Sequence, residues 1–348
     1  MSTINYTTKY SPLIADRFKL QSFTDKFAGK KFDFDGAQTV IVYTIDKVTL
    51  NDYNRTAPAS RFGTVNELGD TKQSMTLTQD KAFTFSIDHG INSDQLNIKH
   101  CNEQLKSNWD EVCTPEIDKY RFENWCNGAG LGSTGAALTR ENVVETVLGA
   151  SAAMSNAFVP KRNRALFISE SVYILTKLAS EIVGIDTLGE AAVSNGVVGR
   201  LDGMDIIAVP DAYFPDGVSF LIKHTDSTVD PMKLKTLRVQ KNPPGIDGDV
   251  GECRFYHDSF VLDSKINGLY LYSTGGAAAP SIALSGGTAK ITCETAGATI
   301  MFTTDGSNPK SSDTAAVYDG PVTVEPGQTI RAFAMADGLV NSAVAQAI

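Results

Sequence analysis

One glycine-rich stretch has a spacing that could bind a phosphate group. Gly130, Gly132 and Gly135 match the pattern G-x-G-x-x-G. In dinucleotide-binding proteins this pattern follows a strand and opens a helix, whose N-terminus holds the pyrophosphate. Here a helical pattern precedes the glycines, and residues 151–154 lack the acidic side chain expected about 20 residues later. We therefore interpret the stretch as a flexible loop between two domains, and we predict no bound cofactor.

Two histidines stand next to carboxylates and could in principle exchange protons with a substrate. His89 follows Asp88, and His257 precedes Asp258. None of the four histidines has the spacing of a metal-ligand set, and the chain contains neither a G-x-S-x-G nor a G-x-x-x-x-G-K pattern. We expect these histidines to be solvated or satisfied in a core, and we predict no catalytic residue.

Two charged clusters could each be either a binding site or an ordinary solvated surface segment. Asp247, Asp249 and Glu252 could hold calcium through their oxygens, but they lack the twelve-residue loop pattern, so we expect an acidic turn. The basic run at residues 161–164 could contact nucleic acid, although a solvated helix-to-strand connection is favoured. We predict no metal site.

Composition limits the class of protein. With 348 residues and 42 % apolar residues, the chain is large enough for two or three packed domains. Its net charge of −9 makes it a poor sequence-independent binder of nucleic acid. Five cysteines without a C-x-x-C pair predict free thiols in a reducing compartment. Neither a signal peptide nor a membrane-spanning apolar run is visible, so we expect a soluble protein made inside a cell.

The first ninety residues predict an arm and a long hairpin. Residues 1–36 have too few regularly spaced apolar side chains to make a core of their own. Residues 39–45 are β-branched and aromatic, and residues 74–87 alternate apolar with polar side chains, as a half-buried strand does. A polar, turn-rich segment at residues 51–61 separates them. An isolated two-stranded hairpin is unstable in water, so this one needs another surface.

A long helix and an α/β region follow. One apolar stripe at helical spacing predicts a spine helix with a kink or restart at residues 114–115. The stripe comprises Ile98, Cys101, Leu105, Trp109 and Val112. Residues 142–272 then combine two helices with several short apolar strands.

The tail forms a separate module. Its strand and turn signals lie at residues 298–309, 317–322, 329–334 and 337–342. They resemble the small immunoglobulin-like domain at the C-termini of chitobiase-type and other surface proteins. We assign residues 281–348 to this β-sandwich and residues 273–280 to a flexible linker.

The order of parts before the linker resembles the major capsid protein fold of tailed bacteriophages. The segments that carry the resemblance are residues 14–18 (Ile-Ala-Asp-Arg-Phe), 31–40, 50–55, 75–85, 114–121, 196–203 and 209–210. The resemblance implies an α+β fold with an N-terminal arm (1–36) and a capsid body (37–272). Within that body it implies an extended loop (47–86), a peripheral domain holding the spine helix (87–127 and 226–272) and an axial domain (128–225).

The resemblance also implies partners and contact residues. Such subunits form hexamers and pentamers of an icosahedral shell around double-stranded DNA, which they enclose without specific binding. It further implies portal and scaffolding proteins as partners, surface glycans as ligands of an outward-facing tail domain, no membrane partner, and a place in the virion after assembly in the host cytoplasm. The predicted inter-subunit contacts are Phe18, Phe32, Phe34, Tyr53, Arg55, Arg61, Glu67 and Lys72. The predicted tail-domain surface residues are Tyr318 and Asp305.

Two other functions stay open on the sequence alone. The chain could be a glycan-binding or surface-adhesion protein whose tail module does the binding. It could also be a hydrolase with an unrecognised carboxylate pair, which needs two carboxylates about 5–10 Å apart.

Overall fold

The computed structural model describes residues 21–32, 34, 38–45, 48, 50–56, 61–63, 65, 67–94, 99–179, 197–312, 314–325 and 328–347. Its α-helices and strands confirm the expected α+β class. The helices are α1 (His89–Asp94), α2 (Cys101–Asn108), α3 (Thr114–Asn127), α4 (Val143–Asn156) and α5 (Glu170–Leu178). The strands are β1 (Thr39–Ile45), β2 (Asp70–Thr76), β3 (Gln79–Asp88), β4 (Leu131–Thr134), β5 (Arg164–Ser169), β6 (Val197–Leu201), β7 (Met204–Val209), β8 (Val218–His224), β9 (Thr228–Val229), β10 (Met232–Lys241), β11 (Gly248–His257), β12 (Phe260–Val261), β13 (Leu269–Ser273), β14 (Ser281–Ser285), β15 (Thr288–Thr292), β16 (Thr299–Thr303), β17 (Ala316–Val317), β18 (Val322–Thr323), β19 (Ile330–Met335) and β20 (Ala345–Ala347).

Strands β1 and β2 form an antiparallel hairpin, as the sequence predicts, but β2 shares only residues 74–76 with the returning strand predicted at 74–87. Val42 lies opposite Gln73 at its centre. The returning strand is not continuous to Ile87, as the sequence suggested, because β3 pairs with β11 instead of β1. The carboxylate of Asp258 fixes the change of partner, since it accepts bonds from the backbone nitrogen and the hydroxyl of Thr78 at 2.8 and 2.9 Å.

The spine helix runs from Cys101 to Asn127 and packs on the three-stranded sheet β10-β11-β3. Between α2 and α3 lies a π-helical turn (Trp109–Cys113), in which the Thr114 nitrogen donates to the carbonyl of Trp109, five residues earlier. Pro115 follows directly; proline has no N–H to donate and its ring crowds the carbonyl four residues before it. The irregularity predicted at residues 114–115 therefore lies in the turn before the proline.

The π-helical turn overturns one position of the predicted apolar stripe. Val112 was expected to face inward but is exposed, and Cys113 is buried instead. The wider turn inserts one extra residue, which rotates the following side chains by about 100° around the helix axis. Ile98, the first position of the stripe, lies outside the described residues.

A six-stranded sheet, ordered β4-β13-β8-β5-β7-β6, carries the second core. Strand β5 is buried along its whole length, as expected for a strand covered on both faces. Phe167 points to the aromatic cluster around α3, whereas Leu166 and Ile168 point to the cluster under α4. The same sheet therefore joins the spine helix to the helices of the second α/β region.

The glycine-rich stretch is not a flexible loop. Leu131–Thr134 forms strand β4, which pairs in parallel with β13. A Cβ atom added at Gly132 would lie 2.7 Å from the carbonyl oxygen of Leu271, so the glycine permits the close approach of the two strands. A strand leads through these glycines, so the helix that a dinucleotide site requires is missing.

The tail is the expected immunoglobulin-like β domain. Its two sheets are β14-β15-β18 and β17-β16-β19-β20. They enclose a core of Ala289, Ile291, Val324, Ile330 and Ala332. The connecting segment 273–280 is packed rather than free, contrary to expectation: Ala277 is buried, and its nitrogen donates to the carbonyl of Val340 at 3.0 Å.

Candidate assembly surface

The hairpin has one face on its own subunit and one apolar face in solvent. Val40 and Val42 pack on the cluster around Met75. Because side chains alternate along a strand, the intervening residues point outward. The outer face of the hairpin thus presents Ile41, Tyr43 and Ile45, with exposed fractions of 49 %, 61 % and 60 %. Opposite them on β2 stand Ser74, Lys72 and Asp70.

In the far end of the hairpin, residues 48–69, several of the described large apolar side chains are also exposed. Tyr53 and Phe62 meet edge to face with ring centroids 5.1 Å apart. The nitrogen of Asn54 donates to the carbonyl of Arg61 at 3.0 Å, which closes the tip locally. Further large apolar side chains stand in solvent there, namely Val48, Leu50, Val65 and Leu68.

Most of the predicted contact residues on the hairpin are accessible. Arg55, Arg61, Glu67 and Lys72 are all exposed, and Tyr53 is half exposed. The structure thus gathers these five side chains on one projecting element.

The aromatic residues predicted in the arm are placed differently. Phe34 is only 2 % exposed and stacks on Phe260 at 6.1 Å, so it belongs to its own subunit's core and cannot serve as an inter-subunit contact. The sequence offered no warning, because its partner lies more than two hundred residues away. Phe32 is half-buried against the same cluster. Phe18 lies outside the described residues.

The described part of the arm is fastened to the spine helix. The buried carboxylate of Asp118 accepts bonds from the Ser22 hydroxyl at 2.7 Å and the Phe23 nitrogen at 2.8 Å. Burial raises the pKa of Asp118, and these hydrogen bonds oppose the rise. Arg121 pairs with Asp25 at 2.6 Å. Phe27 is buried in the body's own cluster and meets Phe167 edge to face, so polar bonds and apolar packing together hold this segment.

A groove of about 420 Å³ lies between the arm, the spine helix and β10. Its apolar lining includes Phe32, Trp109 and Ile117, and exposed Lys30 and Lys235 stand at its rim. The ammonium of Lys235 lies 3.7 Å from the centre of the Trp109 ring. We call this the arm–spine groove. No sequence motif predicts it, because its walls come from three segments that are distant in the chain.

The carboxylates inside the arm–spine groove are already occupied. Asp230 accepts bonds from the Gly29 nitrogen at 2.9 Å and the Trp125 indole at 3.0 Å. Asp118 is held by the arm, as described above. The charge that the groove offers to a partner is therefore that of its lysines.

The two predicted tail-surface residues serve the tail domain itself. The Tyr318 hydroxyl accepts a bond from the Ile291 nitrogen at 3.0 Å, and its ring packs on Phe302. Asp305 is exposed, but its carboxylate accepts from Ser307 and Thr314 and so organises its own loop. Tyr318 is thus half-buried in the domain core rather than displayed.

The candidate acid–base pair at His257 is structural. The imidazole packs against Phe255 and Tyr120, with ring centroids 5.5 Å away in each case, and neither ring nitrogen has a hydrogen-bond partner within the described ranges. Burial lowers the pKa of His257 to about 4. Asp258 instead accepts from Tyr120 at 2.7 Å.

The other charged clusters resolve into separate local bonds. Arg164 of the basic run is buried and donates to the carbonyls of Ser151 and Pro160, so it is not part of a solvated connection. In the acidic turn, Glu252 pairs with Arg238, whereas Asp249 lies 3.8 Å from His89. Among the residues that the structure describes, no group of three potential metal ligands converges. All five cysteines are free thiols, as expected.

Comparison with known proteins assigns the two parts of the chain. Residues 280–346 match the family of the chitobiase/beta-hexosaminidase C-terminal domain. A structure from Mycobacterium phage Che8 aligns with a TM-score of 0.61 and 17 % identity over 77 % of this chain and 96 % of that chain. The capsid structure of the cyanophage P-SCSP1u aligns with a TM-score of 0.62 and 10 % identity over 77 % and 93 %. The mature capsid of bacteriophage PhiM1 aligns with a TM-score of 0.57 and 11 % identity over 77 % of this chain and 92 % of that chain.

These likenesses establish the fold: most of the chain has the fold of phage capsid structures, and an immunoglobulin-like domain follows it. Among curated proteins, no sequence matches the chain. Across the described ranges, no helix has the length and apolar character needed to cross a membrane.

Proposed function

We propose that this chain is a major capsid protein, a non-enzymatic structural subunit that assembles with copies of itself into hexamers and pentamers of an icosahedral shell. The observation that carries the proposal is the hairpin, whose outer face exposes Ile41, Tyr43 and Ile45 to solvent while its inner face packs on the subunit's own cluster. The capsid-like fold of the remaining body supports it.

The physical argument concerns buried area. A two-stranded hairpin is at best marginally stable alone, and contiguous exposed apolar patches mark interaction sites. Burying a large apolar side chain stabilises a protein by about 1.5–3 kcal/mol. Among the described residues, the outer face and the far end together offer nine such side chains, namely Ile41, Tyr43, Ile45, Val48, Leu50, Tyr53, Phe62, Val65 and Leu68. A neighbouring subunit that covers them gains most of the energy that assembly needs.

The charge pattern suggests where the hairpin of one copy lies on the next. On its returning side, exposed Val65 and Leu68 alternate with the carboxylates of Glu67 and Asp70. The arm–spine groove offers apolar walls and a basic rim at Lys30 and Lys235. We place the returning side of one hairpin in the arm–spine groove of the neighbouring subunit.

The subunit boundaries follow the same proposal. The arm is residues 1–36, the extended loop 47–86, the peripheral domain 87–127 with 226–272, and the axial domain 128–225. Residues 273–280 connect this body to the tail domain at 281–348. The shell would enclose double-stranded DNA behind an acidic wall that does not bind it specifically. Portal and scaffolding proteins would be further partners, assembly would occur in the host cytoplasm, and the tail domain would face outward.

Electron microscopy of the purified full-length chain tests the function. Closed particles or rings of five and six subunits are the expected result. Uniform monomers at every salt and protein concentration would overturn the proposal.

Charge reversal tests the contact separately. Glu67→Lys and Lys235→Glu should each raise the protein concentration needed for assembly about tenfold or more, and the double variant should restore it, because like charges oppose each other in the single variants. Glu103→Lys, an exposed change of equal charge on α2, is the control and should leave assembly unchanged. Assembly that ignores both single variants would exclude this contact but not the function.

A further inference from the structure

The tail domain shares an apolar core with the body. Val340, in the turn after β19, is only 5 % exposed and lies in the same cluster as Phe122 and Trp125 of the spine helix and Leu271 of β13. Its carbonyl accepts the bond from Ala277 described above. A module joined only by a flexible linker would not place a side chain in the core of its neighbour.

A lysine of the tail domain reaches the end of the spine helix. The ammonium of Lys310 donates to the carbonyl of Ala129 at 3.0 Å, two residues after α3 ends. It also lies 5.5 Å from the centre of the Phe333 ring. The residue as a whole is half-buried, and the burial of its ammonium lowers the pKa of Lys310 to about 7. The lysine thus satisfies a carbonyl just past the end of the spine helix, where intrahelical partners are lacking.

A carboxylate of the body receives two polar side chains of the same tail loop. Asp263 accepts bonds from the Asn308 amide at 3.2 Å and from the Ser311 hydroxyl at 2.5 Å. Its own nitrogen donates to the amide oxygen of Gln73 at 3.1 Å. This aspartate therefore connects the tail domain to the middle of β2 in the hairpin.

A fourth contact joins the tail domain to strand β4, where small residues on both sides let the two backbones come close. Ala343 lies against β4 where a Cβ atom on Gly132 would be 3.5 Å from the alanine Cβ. Strand β4 is the last strand on its side of the six-stranded sheet. Covering such an edge is one way in which proteins prevent unwanted strand pairing.

From these four contacts we infer a function for the tail domain: it is a clamp within the subunit that holds the end of the spine helix, the 263–268 turn and the edge of the six-stranded sheet in one arrangement. It stabilises the body itself, apart from any ligand it binds. This inference does not rest on the proposed assembly, because every contact lies within one chain.

Hydrogen exchange of the full-length, unassembled chain tests the inference. Val340→Ser and Lys310→Ala should each speed exchange in body peptides 128–135 and 263–273 about tenfold, because exchange follows the population of the opened state. Peptides around Ile291 and Ile330 should stay protected, which shows that the tail domain remains folded. Val317→Ser and Lys290→Ala, at exposed positions of the same domain, are the matched controls. They should change neither the exchange of the body peptides nor that of the tail-domain peptides.

The milder Ser311→Ala variant distinguishes a local loss of docking from general unfolding of the subunit. It removes one bond to Asp263 and should produce a smaller increase confined to peptide 263–273. Should the body peptides exchange at the wild-type rate in all three variants while segment 273–280 alone becomes labile, the domain is a tethered appendage and the inference is wrong.

Discussion

Gln73 ties the hairpin to the body through both ends of its amide: the nitrogen donates to the carbonyl of Val261 at 2.8 Å, and the oxygen accepts from the nitrogen of Asp263 at 3.1 Å. This pair of bonds lies at the middle of β2, opposite Val42. The hairpin therefore leaves the body at a fixed angle, although its outer face has no support of its own.

Replacing Gln73 with alanine should free the base of the hairpin. Two hydrogen bonds are lost, which destabilises the local structure by about 1–3 kcal/mol. Hydrogen exchange of the β1 and β2 amides should accelerate while β5 stays protected. Lys72→Ala, the exposed neighbour, is the control and should have little effect. Equal exchange rates of the β1 and β2 amides in the two variants would show that the hydrogen bonds of the Gln73 side chain do not hold the hairpin.

Polar substitutions on the outer face should separate assembly from folding. Tyr43→Ser and Ile45→Ser remove apolar area that is already in solvent, so the midpoint of thermal unfolding of the free subunit should hardly change. The concentration needed for assembly, measured by light scattering, should rise about tenfold or more for each. Val42→Ser, which touches the subunit's own core, should show the opposite pattern and lower the unfolding midpoint. Unchanged assembly in both outer-face variants would refute the role of this face.

The buried His257 should make the subunit sensitive to acid. Burial lowers its pKa to about 4, below the ordinary value of 6.5, so between these pH values the unfolded chain binds a proton that the folded one does not. Stability should therefore fall as pH drops from about 6.5 to about 4. His257→Phe should flatten this dependence and raise stability by about 1 kcal/mol, because two unsatisfied nitrogens disappear. Denaturant unfolding at several pH values measures it, with exposed His100→Gln as the control; an unchanged slope in His257→Phe would contradict the assignment.

The clamp should tighten as pH rises above neutrality. In the docked state the pKa of Lys310 is about 7, against an ordinary lysine value of 10.5, so between these values only the released lysine carries the proton. Docking should strengthen across that window and show no dependence on this group below it. The facing Cys126 has a pKa raised by burial, so it stays neutral through most of the window.

Lys310→Met tests this dependence. The variant should lose the difference between pH 7 and pH 10 in the protection factor of peptide 128–135, which is the intrinsic exchange rate at each pH divided by the observed rate, whereas Lys290→Met should keep it. If the protection factor of peptide 128–135 changes equally with pH in both variants, the pH dependence belongs to a group other than Lys310.

Local chemistry was enough to predict the hairpin and the spine helix. The β-branched and aromatic residues 39–45 predict the strand, but Val40, Ile41, Val42 and Tyr43 are all apolar, so the sequence does not show which of them face outward. Tyr53 and Glu67 of the far end come from the family resemblance rather than from a local pattern, and the structure leaves both accessible.

Long-range packing decided what the sequence could not show. Phe34 is buried by Phe260, and Gly132 is drawn into a sheet by Leu271, although nothing near either residue in the chain signals its partner. The arm–spine groove likewise needs three distant segments to exist. Val112 was misplaced for a different reason: the period of 3.6 residues per turn was applied through a turn that does not obey it.

The π-helical turn before Pro115 has a consequence for how this protein tolerates change. The cluster of Leu105 and Phe255 takes side chains from both sides of this turn, Leu105 before it and Ile117 after it, while the last turns of the helix contribute Phe122 and Trp125 to the other cluster. One surplus residue therefore sets the rotational phase of the side chains after the turn relative to Leu105. Deleting a single residue from 109–113 would restore an ordinary helix and leave one of the two hydrophobic layers facing water, so the length of this rod is fixed to the residue.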